Sequence, residues 1–153
     1  MVSFADLNLS VNSQVKEIDF NGQKIEVKSY LPVTAKAGII NLAVRGSLSE
    51  GTVSSVLVDA YFHIFIVEYY TDIQFNTDDA EDILLNYDKI ISNGLLDKIL
   101  DAIPEEEYDY LLNSLKDFER QVVAYSQSYA GANSNTEELF KVLSQFAQAQ
   151  KSN

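Results

Sequence analysis

Apolar and aromatic side chains recur on every face of Val53 to Tyr70, VSSVLVDAYFHIFIVEYY, with Asp59, His63 and Glu68 as the ionisable interruptions. The run holds no Gly, Pro or Asn. Its length exceeds a strand of about 5 to 6 residues and suits a helix of about five turns, roughly 27 Å. Val, Ile, Tyr and Phe also favour strands, so length decides between the two readings. A helix without a polar face is buried, and the pattern therefore predicts a central helix covered on both sides by shorter amphipathic elements.

Ahead of that helix, residues 1–14 have no sustained period and read as an extended arm that can dock on a partner. From Val15 the pattern alternates: VKEIDF, then Asn21-Gly22, then QKIEVKSYL. Asn-Gly between two alternating runs predicts a hairpin, because both residues tolerate the positive φ of a type I′ turn. Placing Phe20 opposite Gln23 sets Ile18 across from Ile25 and Lys16 across from Val27, with Ile18, Phe20, Ile25 and Val27 on one face. The other face pairs Asp19 with Lys24 but sets Glu17 against Glu26, a like-charge defect. The hairpin spans 15–31 and is closed by Pro32.

A helical bundle is expected over 34–148. Its first helix starts near Thr34, buries Ala35, Ile39, Leu42 and Ala43, and stops at Gly46; a loop over Ser47 to Thr52 follows. After the central helix, DIQF reads as a short extended piece. Thr77 is the expected N-cap of a helix whose stripe is Ile83, Leu84, Tyr87, Ile90 and Ile91, ended by Asn93-Gly94. The short helix LLDKILDAI runs to Pro104, which opens a long helix with Tyr108, Leu111, Leu112, Leu115, Phe118, Val122 and Tyr125 as its stripe. Gly131 to Asn133 reads as a loop, Ser134 and Glu137 as the capping box of a last helix burying Leu139, Leu143 and Phe146, and 149–153 as a fraying tail. The expected fold class is mainly α (α+β): one domain over 15–148, a β-hairpin on a bundle of about five helices around a central hydrophobic helix.

The formal net charge of −12 and the pI near 4.3 change the picture from architecture to surface. Between Asp78 and Asp109 lie eleven acidic residues against Lys89 and Lys98. Such a surface repels nucleic acid and anionic membranes. Three ionisable groups inside the central run argue against a membrane span, since an Asp near the bilayer centre costs about 2.5 to 3.5 kcal/mol. With no cysteine and one histidine, disulfides, thiolate chemistry and Cys- or multi-His metal sites are excluded. The start MVSFADLNLSVNSQ lacks the basic and long apolar regions of a signal peptide, which points to a cytoplasmic product.

Candidate chemistry is sparse. Ser55, Asp59 and His63, four apart, share a helical stripe and offer the residue types of a nucleophilic triad. Side chains along one straight helix cannot converge on a substrate, so the stripe reads as an Asp59–His63 pair at a helix surface, with Tyr70 nearby. Asp78, Asp79, Glu81 and Asp82, and likewise Glu105, Glu106 and Glu107 after Pro104, lack the spacing of a metal loop and read as helix-start acids. No glycine-rich phosphate loop or marked carboxylate pair exists. The expectation is therefore no catalytic residue, no metal and no cofactor. The surface expected to meet a partner is Asp97, Asp101, Glu105, Glu106 and Tyr110; Tyr30 and Tyr129 are further tyrosines expected outside the core.

The strings FNGQKIEVKSYLP and NYDKIISNGLLDKILDAIPEEEYDYLL, spanning roughly Phe20 to Leu112, resemble small acidic proteins encoded in the morphogenesis regions of tailed phages and prophages of Gram-positive bacteria. The layout is similar to phage tail-assembly chaperones, which begin with a hairpin around a turn Gly and continue as helices. The resemblance implies a non-enzymatic protein acting by contact with phage structural proteins, in the bacterial cytoplasm or the virion. It implies no catalytic residues and leaves room for a homo-oligomer. The other class the charge admits is an acidic inhibitor or decoy that occupies a basic groove on a host protein.

Overall fold

Asn21 and Gly22 both take positive φ, 49° and 78°, and turn the chain between strand β1, Val15–Phe20, and strand β2, Gln23–Lys28. The register is the one the alternation predicts, from Phe20↔Gln23 through Ile18↔Ile25 and Lys16↔Val27. Ile25 and Val27 are buried, and Ile18 and Phe20 pack half-buried against the same core. Glu17 does face Glu26, and the repulsion is met diagonally: Lys24 Nζ lies 3.1 Å from Glu17 Oε1.

The computed structural model describes residues 1–49 and 54–129. Among them the helices are α1 (Val33–Ser49), α2 (Ser55–Tyr70), α3 (Ala80–Ser92), α4 (Leu95–Ala102) and α5 (Glu105–Tyr129). The chain is mainly α, with its hairpin packed on a bundle around α2. The expected start at Val53, Gly51, the loop at Gly131 to Asn133, the last helix with Leu139, Leu143 and Phe146, and the tail lie outside the described residues, as do the side chains of Tyr125 and Tyr129. No helix among the described residues is long and apolar enough to cross a membrane.

α2 buries Val58, Ala60, Tyr61, Phe62, His63, Ile64, Ile66, Val67 and Tyr70, residues on every side of the helix. α1, α3 and α4 pack against it. Thr71 ends it, bridges to Val27 of β2 and donates its hydroxyl to Val67 O at 2.6 Å. Asp72 Oδ1 then accepts from the Glu26 N–H at 3.1 Å. Extended pairing thus occurs at Thr71 rather than along DIQF, and the chain has no regular structure from there to α3.

Three further expectations shift for local reasons. Gly46 is no helix stop: α1 continues to Ser49, and Ser47, expected in a loop, is buried. A Cβ at Gly46 would sit 2.7 Å from the ring of Tyr61, so glycine is there to let α2 approach. Asp79, not Thr77, caps α3, its Oδ1 accepting from Glu81 N at 2.9 Å and Asp82 N at 3.2 Å; Thr77 Oγ1 accepts from Asp79 N instead. On α3, Ile90 is buried but Ile91 is exposed, which narrows the expected stripe by one residue.

The two glycines inside α1 predict opposite outcomes. At Gly38 a Cβ meets only the Tyr69 hydroxyl at an ordinary 3.7 Å. Gly38→Ala is expected to stabilise by about 0.5–1 kcal/mol through helix propensity. Gly46→Ala is expected to destabilise by about 1–3 kcal/mol through overpacking against Tyr61. Urea unfolding of both variants checks this, and equal shifts would remove the close approach from the account.

Candidate functional site

Glu107 and Lys36 each stand one helical turn ahead of a buried stripe. Glu107 precedes Leu111 by four residues on α5, and Lys36 precedes Ile39 and Ile40 on α1, so both charged groups enter the core with the apolar side chains that follow. Lys36 Nζ lies 2.8 Å from Glu107 Oε1, with both side chains nearly inaccessible, at 7% and 11%. The other oxygen, Oε2, accepts from the Tyr70 hydroxyl at 2.7 Å and from the Leu31 N–H at 3.4 Å. Lys36 Nζ also stands 4.1 Å from the ring centroid of Tyr30 and 5.3 Å from that of Tyr110. One carboxylate thus ties together α1, α2, α5 and the chain leaving the hairpin. Burial, then the hydrogen bond to Glu107 and its charge, hold the Tyr70 phenol far above its ordinary value.

A second polar group lies along α2. His63, expected at the surface, is buried at 7% exposure. Its Nδ1 is 2.8 Å from Asp59 O, a carbonyl that only accepts, so Nδ1 carries a proton. Nε2 lies 2.9 Å from the Tyr108 hydroxyl, which donates to it when the ring is neutral. Asp59 remains half outside the core, with Oδ1 3.5 Å from His63 Nδ1 and Oδ2 accepting from the Tyr87 hydroxyl at 3.0 Å. Tyr87 is pushed up to about 12 by burial first and by its bond to Asp59 second. Tyr108 and Glu119 are raised by burial and then by the Asp59 charge, with Lys116 opposing at Glu119. Ser55 is exposed, and both ring nitrogens of His63 are already engaged, by a carbonyl and a phenol. Tyr70, expected near this stripe, belongs to Glu107 instead.

The residues expected to meet a partner are all on the surface. Asp97 and Asp101 lie four apart on α4, Glu105 and Glu106 open α5, and Tyr110 stands one turn beyond Glu106 at 52% exposure. Ten of the eleven acids from Asp78 to Asp109 are exposed, Glu107 being the one turned inward. Tyr110 and Tyr30 flank Lys36 on this side of the molecule. Asp101 lines a groove beside β1, whereas Asp97 does not. Among the described residues no three His, Asp or Glu side chains converge to hold a metal ion. Sequence reasoning missed Lys36 and read Glu107 as equivalent to Glu105 and Glu106; the available signal was its position one turn before Leu111. Compared with known protein families, curated proteins and solved structures, the chain matches none.

The buried pair yields a double-variant prediction. Lys36→Met leaves Glu107 charged and uncompensated, and is expected to cost about 3–5 kcal/mol. Adding Glu107→Gln removes the orphan charge while keeping acceptors for Tyr70 and Leu31, so the double variant is expected to recover part of that loss. Chemical denaturation of the three proteins checks it; a double variant no more stable than Lys36→Met would discard the charge as the cause.

The tyrosines predict alkaline behaviour. Tyr87 keeps its proton to about 12 when folded, against 10.0 ordinarily. Over that interval the folded chain binds more protons than the unfolded one, so stability falls as pH rises. Melting temperatures are expected to decline from about pH 10 upward, and less steeply in Tyr87→Phe. Identical slopes in the two proteins would show that the Asp59 contact does not hold the proton.

Proposed function

We propose that this chain is a non-enzymatic tailed-phage protein that works by protein–protein contact, as a virion component or adaptor or as a tail-assembly chaperone. The observation that carries the reading is the segregation of ionisable groups. Lys36, Glu107, His63 and Tyr70 are spent on holding helices together. What faces outward around the α4–α5 corner is carboxylate, at Asp97, Asp101, Glu105, Glu106 and Asp109, with the exposed ring of Tyr110 beside it. An acidic face with an aromatic anchor suits a basic protein surface and repels phosphate backbones. The resemblance over Phe20 to Leu112 supports phage structural proteins as the partners.

Pull-down from infected or lysogenic cells is expected to recover phage structural subunits. Recovery should fall in the triple variant Asp97→Lys, Asp101→Lys, Glu105→Lys, and should weaken above about 0.1 M salt, where the Debye length reaches roughly 10 Å. Mass spectrometry of purified particles separates a virion part, which persists there, from a chaperone. Direct DNA binding, or recovery indifferent to the charge reversals at low salt, would overturn the reading.

A further inference from the structure

Of the twelve exposed large apolar residues among the described ones, seven lie within Met1 to Val15: Met1, Val2, Phe4, Leu7, Leu9, Val11 and Val15. After a single 3-10 turn at Phe4–Leu7, closed by Asn8 in the left-handed region, the sequence alternates apolar and polar over Leu9, Ser10, Val11 and Asn12. That is the pattern of a strand with one face to bury and no sheet to join. Asp6 is the one charged side chain before Lys16, so the arm is nearly neutral in a chain of net charge −12.

An open strand edge exists on the same molecule. Phe20 and Gln23 flank a two-residue turn, so Ile18 and Lys16 aim their peptide groups at β2 while Asp19, Glu17 and Val15 aim theirs outward. The Asp19 carbonyl on that outer edge is taken by Lys98 Nζ at 2.8 Å. The peptide groups of Glu17 and Val15 have no partner among the described residues, and β1 has no second strand neighbour there. Beside this free edge, between β1 and α4, runs a groove of about 390 Å³ lined by Lys16, Ile18, Asp19, Lys98, Asp101 and Ala102. Its two lysines and two aspartates cancel, which makes it a neutral place on an acidic protein.

We infer that the arm of a second copy adds as a strand to the open edge of β1, laying Leu9 and Val11 over the groove between β1 and α4, and that the exchange is reciprocal. The chain's own arm is held away from this edge. Ser29 N–H donates to Gln14 O at 2.8 Å, Gln14 N–H to Ser29 Oγ at 2.8 Å and Ser13 Oγ to Tyr30 O at 3.1 Å, so residues 13 and 14 prolong the pairing with β2's end and are not free to turn back. Reciprocal exchange closes a two-fold pair, with each arm and each β1 edge used once. It also brings together the two parts of the molecule that carry no net charge, so two acidic chains meet without facing their carboxylates.

The chain holds no cysteine, which permits a clean cross-linking test. One full-length protein carries Leu9→Cys and another Ala102→Cys; after mixing and mild oxidation, the mixed disulfide is expected to exceed like-with-like products. In sedimentation across a dilution series the unsubstituted chain is expected to pass from dimer to monomer. Leu9→Asp with Val11→Asp, both at exposed positions, is expected to stay monomeric with unchanged circular dichroism, and to melt as the unsubstituted chain does at dilutions where that chain is monomeric. A monomer at every concentration, association untouched by the two aspartates, or a mixed disulfide no more abundant than the like-with-like products would each overturn the inference.

Discussion

A helix that offers water no face must be enclosed, and the rest of this fold follows from enclosing α2. Its buried side chains point to all sides, the four consecutive residues Tyr61, Phe62, His63 and Ile64 by themselves ringing the axis. Each buried Leu-, Ile- or Phe-sized side chain contributes about 1.5–3 kcal/mol over exposure, which no single neighbour could supply for the whole helix. α1, α3 and α4 cover it directly, and the hairpin closes one end through Val27 and Thr71. Gly46 marks the limit of this packing, where α1 comes so near that the Tyr61 ring occupies the place of a side chain.

Apolar enclosure alone does not choose the angle of α5, and the two buried polar groups supply that choice. His63 and Tyr70 stand seven residues apart on α2, roughly 10.5 Å along its axis. Their partners, Tyr108 and Glu107, are adjacent on α5. Two helices lying side by side would match a spacing of seven with a spacing of seven, so α5 crosses α2 near its first turn rather than running along it. Lys36 then neutralises the carboxylate that the crossing buries, and Tyr30 and Tyr110 cover the ammonium. The desolvation of such a pair offsets much of its attraction, so its contribution is to orientation more than to net stability. Asn41 Oδ1 is the buried side-chain polar atom that finds no partner among the described residues.

What was legible in the sequence was what one segment decides by itself. The Asn21-Gly22 turn and the period of two set every pair of the hairpin, and the unbroken apolar run set the central helix to within its first turn. What was not legible depended on a second segment. Gly46 looks like a helix stop until the Tyr61 ring is placed against it. Three consecutive glutamates after Pro104 look alike, and the packing of Leu111 turns Glu107 inward while Glu105 and Glu106 stay in water. His63 reads as a surface group because its partner Tyr108 comes from a helix 45 residues away in sequence. The exposure of Asp97, Asp101, Glu105 and Glu106 was legible for a weaker reason: carboxylates in excess over available cations remain outside, so it follows from charge alone.

Charge and hydropathy are partitioned along this chain, and that partition decides which contacts are compatible with one another. The apolar content of the arm is neutral, and the acidic content of 78–109 is displayed on helices. If the acidic face were also the self-association surface, two copies would bring like charges together, and a basic partner would have to compete with the second copy for it. Association through the arm and the β1 edge avoids both. In an arm-exchanged pair Asp97, Glu105 and Glu106 stay outward on each copy, Asp101 lying at the covered groove, so a partner that carries repeated basic surfaces meets two acidic faces on one particle. The second contact is then made within an existing complex, at the higher effective concentration that tethering provides. On these two proposals, self-association and partner binding would draw on different physical terms, burial of apolar side chains for one and electrostatic steering for the other. Salt would weaken only the second, which would make the two contacts separable in a single protein.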